Sequence, residues 1–206
     1  MNQRCRQDMP HLEDFLTALV DERGADEGTA IIEQVVPCYS RLYEERAPYD
    51  NRALRRHLEE TILPGLALYQ VLREVGYVEK EALQITAQGF EAWGRQARRR
   101  MKMLGRMPFA YQAVRLLARR VTTANFPPEG WEIVWLEVSS RQVAFNIESC
   151  FCLDMLRRYG APELTRVYCD LDDAIYDEVS THFEWARTKT LGRGDEICDF
   201  RFKRVR

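Results

Sequence analysis

Four cysteines, Cys150, Cys152, Cys169 and Cys198, are interleaved with carboxylates and one basic stretch towards the C-terminal end of this chain. Cys169 opens Cys-Asp-Leu-Asp-Asp, with Asp170, Asp172 and Asp173, and Cys198 opens Cys-Asp-Phe-Arg-Phe. Thiols beside carboxylates can pair a nucleophile with an acid or base, or can hold a metal. Cys150 and Cys152 straddle Phe151, where a strand-like stretch hands over to a helical one. A thiol at a helix N-terminus is acidified by unpaired amides and the macrodipole, so Cys152 is the expected thiolate. The plain alternative for a free cysteine is burial as a small hydrophobe. Cys5 and Cys38 are read that way; for the four late thiols both readings stand.

At helical spacing Asp173 and Asp177 share a face, and Cys169 lies one turn from Asp172 and Asp173. Asp170 and Asp177 read as a solvated acidic surface. Asp172 and Asp173 sit among Leu171, Ala174 and Ile175, which points one of them inward. In Arg187-Thr188-Lys189-Thr190, strand alternation places the two cations on one side and the two threonines on the other. Arg187 could clamp a substrate carboxylate through its fork, or tie its strand to the Asp172/Asp173 segment by an ion pair. The two readings are equal at this point. Grounds for zinc are weak, since Cys150-x-Cys152 stands alone and no Cys-x-x-Cys occurs. His182 reads as a solvated loop residue. No cofactor is expected, with a metal at Cys150, Cys152, Cys169 and Cys198 left open.

These side chains need a scaffold, and its pattern changes once along the chain. The 206 residues suit one domain, or a domain with a helical extension. Helical periodicity runs through the first part: about His11 to Glu22 with Leu12, Phe15, Leu16 and Leu19, then a Gly24/Gly28 break and a second helix. Asp50 or Asn51 caps the next, with Leu54, Leu58 and Ile62 inside; Pro64-Gly65 interrupts it, and Gly76 ends its continuation. A helix from about Glu79 to Met103 follows. Another starts near Pro108, with Tyr111, Val114, Leu117 and Ala118 as its apolar stripe. Asn125 to Gly130, with Pro127-Pro128, is the clearest boundary.

Beyond it, Trp131–Val138 and Val143–Cys150 alternate as a hairpin. Helices from Cys152 to Tyr159 and from Pro162 to about Tyr176 come next. Strands over Phe183–Thr190 and Ile197–Phe202 close the chain. The expected fold is α+β: an N-terminal helical region, residues 1–125, packing on a ββααββ core, residues 126–206. That core carries the Cys/Asp site on an antiparallel sheet of about four strands covered by helices.

Composition narrows the function classes. A hydrophobic share of 46% and a charged share of 30% suit a globular chain, and a net charge of −2 argues against a general polynucleotide binder. Residues 92–128 hold no acid and many arginines; they read as the solvated face of two packed helices, with recruitment to lipid or nucleic acid as the rival. No secretory leader or membrane span is readable, and irregular cysteine spacing suits free thiols in a reducing cytoplasm. The expected partner is a small-molecule substrate, with neither nucleic acid nor membrane; homo-oligomerisation stays open.

Four phrases, in order, resemble the L-2-amino-thiazoline-4-carboxylic acid hydrolase family. They are Cys150-Phe-Cys152-Leu-Asp154; Arg158-Tyr-Gly160-Ala-Pro162-Glu163-Leu164; Tyr168-Cys169-Asp170-Leu-Asp172-Asp173; and Arg187-Thr188-Lys-Thr190-Leu-Gly192 leading to Cys198-Asp199-Phe200. Lys102-Met-Leu-Gly-Arg-Met-Pro108-Phe109 and Gly130-Trp131 resemble it too. The resemblance implies a hydrolase acting on a cyclic amidine C–N bond, opening a carboxylate-bearing cyclic amidine or related heterocycle. The family's named substrate would open to an N-carbamoyl cysteine. On that footing Cys169 or Cys152 is the nucleophile and Asp172 the acid/base. Arg187 anchors the substrate carboxylate, with Asp173, Thr188 and Cys198 lining the substrate site. The rival class comes from Gly192-x-Gly194-x-x-x-Cys198-x-Phe200, which is similar to small ligand-binding domains of the four-vinyl-reductase type; there the same residues would line a sensing or carrier pocket without turnover.

Overall fold

The computed structural model describes residues 9–205, so Cys5 lies outside the described residues. Helix α1, Leu12–Arg23, buries Phe15 and Leu19 and ends at Gly24, whose φ of 86° turns the chain directly into α2, Ala25–Glu45. Gly28 is not a second break. It lies inside α2, where an added Cβ would come within 3.0 Å of the Val20 nitrogen, so it sets how closely the two helices pack. Asn51 caps α3, Arg52–His57, by accepting the Ala53 amide at 2.9 Å.

Pro64-Gly65 does not interrupt the next helix either. A π-helical turn, Leu58–Ile62, precedes it, and α4 continues over Leu63–Glu74. Proline has no amide proton to offer the Glu60 carbonyl four residues back. The His11 ring nitrogen takes that carbonyl at 3.0 Å, and the Tyr168 hydroxyl donates to Thr61 O at 3.1 Å. Side chains from two other elements thus satisfy groups that the π turn frees. An added Cβ at Gly65 would collide with the Tyr168 hydroxyl and the Phe90 ring.

Helix α5, Glu79–Gly105, carries Ala82, Ile85 and Phe90 inward. Helix α6, Ala110–Asn125, buries only Ala110 and Tyr111. Its expected stripe is covered in part: Tyr111 is buried and Val114 packs beside it, while Leu117 is exposed, as are Leu116 and Val121 outside the stripe.

Strands β1, Trp131–Val138, and β2, Gln142–Cys150, form the expected hairpin. Helix α7, Phe151–Arg158, leads through a 3-10 turn at Pro162–Leu164 to α8, Thr165–Tyr176. Strands β3, Phe183–Ala186, and β4, Cys198–Arg204, complete an antiparallel sheet in the order β1-β2-β4-β3. β3 stops short of Thr190 because of a carboxylate from β4. The Asp199 carboxylate takes the amides of Thr188 and Lys189, at 2.8 and 2.6 Å, and draws the chain out of strand pairing. The α+β class and the helix-then-sheet order hold. One core draws Leu19, Ile32 and Leu66 from the helical part together with Phe145, Leu156 and Phe200 from the sheet part. Burying each such side chain stabilises by about 1.5–3 kcal/mol.

Candidate functional site

Sheet register brings the thiols together. Cys150 ends β2 opposite Trp131 and, on the same strand, Ile147 pairs with Cys198 of β4. Helix α7 begins at Phe151, so Cys150 is its N-cap and Cys152 its second residue. The expectation of a lowered Cys152 is reversed. The Cys150 thiol is the one held below its ordinary value, by the Cys152 thiol first, against burial. The Leu153 and Cys152 amides and the Trp131 side chain add to the pull, although no cap hydrogen bond of ordinary geometry forms. Cys152 is pushed well up by the same Cys150 pairing, by burial, and by the Asp172 and Cys169 charges. Of the two thiols, Cys150 is therefore the one more readily deprotonated.

Helix α8 delivers Cys169 and Asp172 one turn apart. Burial pushes the Cys169 thiol up to about 12, against the pull of Arg187. Cys198 is pushed up to about 11 by burial, although the Leu191 amide donates to its sulfur at 3.2 Å. Gly192 closes over this corner: an added Cβ would lie 2.7 Å from Cys169 Sγ and 3.0 Å from Thr165 Cγ2.

Burial raises the Asp172 carboxyl to about 6; Arg187 opposes the shift and Asp173 adds to it. Protein surrounds Asp172 deeply, yet 43% of its side-chain surface is accessible. Cys150 and Cys152 are likewise deep and only half-buried. These groups are enclosed by protein without being sealed from solvent, which is the sense in which they line a hollow. Two open clefts among the described residues lie elsewhere. One of about 660 Å³ is lined by Tyr49, Trp131, Ser149, Phe151 and Arg158; the other, of about 410 Å³, by His11, Trp93 and Arg95. Trp131 belongs to both the first cleft and the thiol pair.

The Arg187 side chain is 1% accessible. It donates to Asp173 at 2.5 Å and to the Cys169 carbonyl at 2.6 Å, and stands 3.7 Å from Asp172. Its guanidinium lies 5.1 Å from the Phe200 ring centre and 5.4 Å from that of Trp185. Arg193 holds Asp173 from the other side, at 2.6 Å, and Asp170 at 2.5 Å. The strand-to-helix tie is thus present, while Arg187 Nε keeps no partner. Trp185 Nε1, Thr165 Oγ1 and Thr190 Oγ1 are buried without partners as well. Buried polar atoms of this kind are normally satisfied, and these four lie on neighbouring elements.

Of the residues singled out from sequence, Cys152, Cys169, Asp172, Asp173, Arg187 and Cys198 converge here. Thr188 does not: it is exposed, and its amide and hydroxyl both serve Asp199. Lys189 is exposed too, so Arg187 and Lys189 do not share a face. Among the described residues, no three His, Cys, Asp or Glu side chains are arranged to hold a metal ion. Sequence reasoning missed Trp131, Trp185, Thr165 and Tyr176. Spacing alone would have offered two of them, since Thr165 precedes Cys169, and Tyr176 follows Asp172, by four residues on α8. Tyr176 is pushed up to about 12 by burial and the Asp172 charge.

The family model described as L-2-amino-thiazoline-4-carboxylic acid hydrolase matches residues 55–202, most of the chain and all of the hollow. No curated protein matches it. Two solved structures run alongside nearly its whole length. A Fe(II) unliganded H-NOX protein from K. algicida shares 12% identity, covering 95% of each chain at a TM-score of 0.37. The SO2144 H-NOX domain from Shewanella oneidensis, in its Fe(II)CO ligation state, shares 11%, covering 93% of this chain and 97% of its own at 0.33. At those scores neither likeness carries an argument.

Proposed function

The chain belongs to the L-2-amino-thiazoline-4-carboxylic acid hydrolase family, and we propose that it hydrolyses a small, carboxylate-bearing cyclic amidine or related heterocycle through a covalent adduct on Cys150. One observation supports this above the rest: a thiol held down and a carboxyl held up share one hollow. Lowering a thiol and raising a carboxyl bring each nearer the working pH, where a nucleophile and a general acid act best. With Cys169 and Cys152 both pushed up, the nucleophile falls to Cys150.

The Cys150 thiolate adds to the electrophilic carbon between the ring heteroatoms. The ring bond from that carbon breaks, and the departing heteroatom takes the Asp172 proton. Asp172, now a carboxylate, removes a proton from water as its oxygen adds to the same carbon. The amidine nitrogen takes up the second water proton, and the carbon–sulfur bond to Cys150 breaks to return thiolate and carboxylic acid. Cys152 keeps its proton throughout and steadies Cys150 by hydrogen bonding. Arg187 Nε and Trp185 Nε1, two of the donors without a protein partner, are offered to the substrate carboxylate.

The test is incubation with 2-aminothiazoline-4-carboxylate and a panel of carboxylated cyclic amidines, followed by mass spectrometry of products and of the Cys150 peptide. Turnover by the wild type and by neither Cys150→Ala nor Asp172→Asn is expected, with an adduct on the Cys150 peptide caught by rapid quench of the wild type. Binding across the panel without turnover would sink this reading and favour a carrier pocket.

A further inference from the structure

The solvent side of the α5–α6 hairpin combines two properties that a free surface rarely carries together. The first is apolar exposure. Phe109, Leu116, Leu117 and Val121 fall at i, i+7, i+8 and i+12 on one face of α6, and Leu116 is 71% exposed, Phe109 56% and Val121 52%. Met103, Leu104 and Met107, at the end of α5 and in the turn beyond it, are exposed beside them. The second is charge. Residues 92–128 contain nine of the chain's 30 cations and none of its 32 acids, so the rest of the chain carries 21 cations against 32 acids. Arg99, Arg100, Arg106 and Arg120 are exposed, and among the described residues none of them pairs with a carboxylate.

We infer that this hairpin docks on an anionic lipid surface, with Phe109, Leu116, Leu117 and Val121 entering the headgroup boundary and the arginines meeting lipid phosphates. An amphipathic helix with apolar anchors between arginines is the pattern that lies in a membrane interface. Charge complementarity selects the occupant. A second copy related by a two-fold axis would set arginines against arginines. A polynucleotide would answer the charge and leave the leucines and Phe109 without an apolar partner. An anionic bilayer answers both. Among the described residues no helix is long and apolar enough to cross a membrane, which leaves the contact superficial.

The experiment is co-sedimentation of the full chain with phosphatidylcholine vesicles, with and without about one-third phosphatidylglycerol. Binding is expected only to the anionic vesicles, weakening with added salt. Leu116→Glu with Leu117→Glu, both exposed and outside the hollow, should weaken it by roughly tenfold or more, and Arg99→Glu with Arg120→Glu by a similar factor. Unchanged thermal unfolding of both variants verifies that the fold survives. Three results would each overturn the inference: no binding to anionic vesicles at low salt; binding that both variants retain; or a dimer of the free chain that the leucine variant dissociates. Binding to an RNA homopolymer that survives the leucine variant while vesicles are ignored reassigns the charge and overturns it equally.

Discussion

Replacing Asp172 with asparagine should change how stability depends on pH, and by a calculable amount. The Asp172 carboxyl rises from 3.8 to about 6 on folding, chiefly because burial penalises its charge. The folded chain therefore keeps a proton that the unfolded chain has released between about pH 4 and 6. Stability contributed by that protonation is present below about pH 4, declines through this window, and is gone above it. About two units at 1.36 kcal/mol each set a ceiling of about 3 kcal/mol. With 43% of the side chain accessible, solvent screening reduces this to about 1–1.5 kcal/mol. Asparagine does not titrate, so the variant escapes the decline. Urea unfolding of both proteins at pH 4 and 7.5 measures it. Relative to wild type, Asp172→Asn should gain about 1–1.5 kcal/mol between the two values. Curves that stay parallel would mean that Asp172 titrates like a surface carboxyl, and the hollow would lose its acid.

Three further outcomes follow from the same geometry. Iodoacetamide at neutral pH should label Cys150 ahead of Cys152, Cys169 and Cys198 in peptide mass spectrometry, and Cys152→Ala should slow Cys150 labelling several-fold because the largest cause of its lowered value is removed. Gly192→Ala should lower stability by about 1–3 kcal/mol, since its methyl would press on Cys169 Sγ and Thr165 Cγ2; thermal unfolding at equal stability to wild type would contradict that placement. Tyr168→Phe should cost about 1–3 kcal/mol in denaturant unfolding by orphaning the Thr61 carbonyl, and an unchanged midpoint would show that water serves it instead.

How much of this was readable in the chain depended on whether the deciding forces were local. Strand β1 was legible at both ends because apolar alternation begins right after Pro127-Pro128 and stops at the serine turn. The Asn51 cap and the α8 face shared by Cys169 and Asp172 were legible by spacing. The π turn was not. It depends on Pro64 lacking an amide proton and on His11 and Tyr168 arriving from distant segments. The end of β3 at Ala186 was hidden for a similar reason, being set by a carboxylate eleven residues beyond Thr188. Which thiol is acidic turned first on the pairing of the Cys150 and Cys152 side chains, and then on a helix boundary one residue earlier than its pattern suggested. The α6 periodicity told of an apolar side without telling what, if anything, the fold lays against it.

The grip of Tyr168 on the Thr61 carbonyl has a consequence for how this molecule can be divided or altered. Cys169 is the very next residue, so the depth at which that thiol sits is referenced to a backbone group more than a hundred positions away. A polypeptide starting at residue 126 would retain all four late sulfur atoms and every nearby carboxylate, but not the peg from which their helix hangs. Substitutions around Pro64 that never approach the sulfur atoms should accordingly shift the pH at which Cys150 reacts, as tilting a shelf moves whatever rests on its far end.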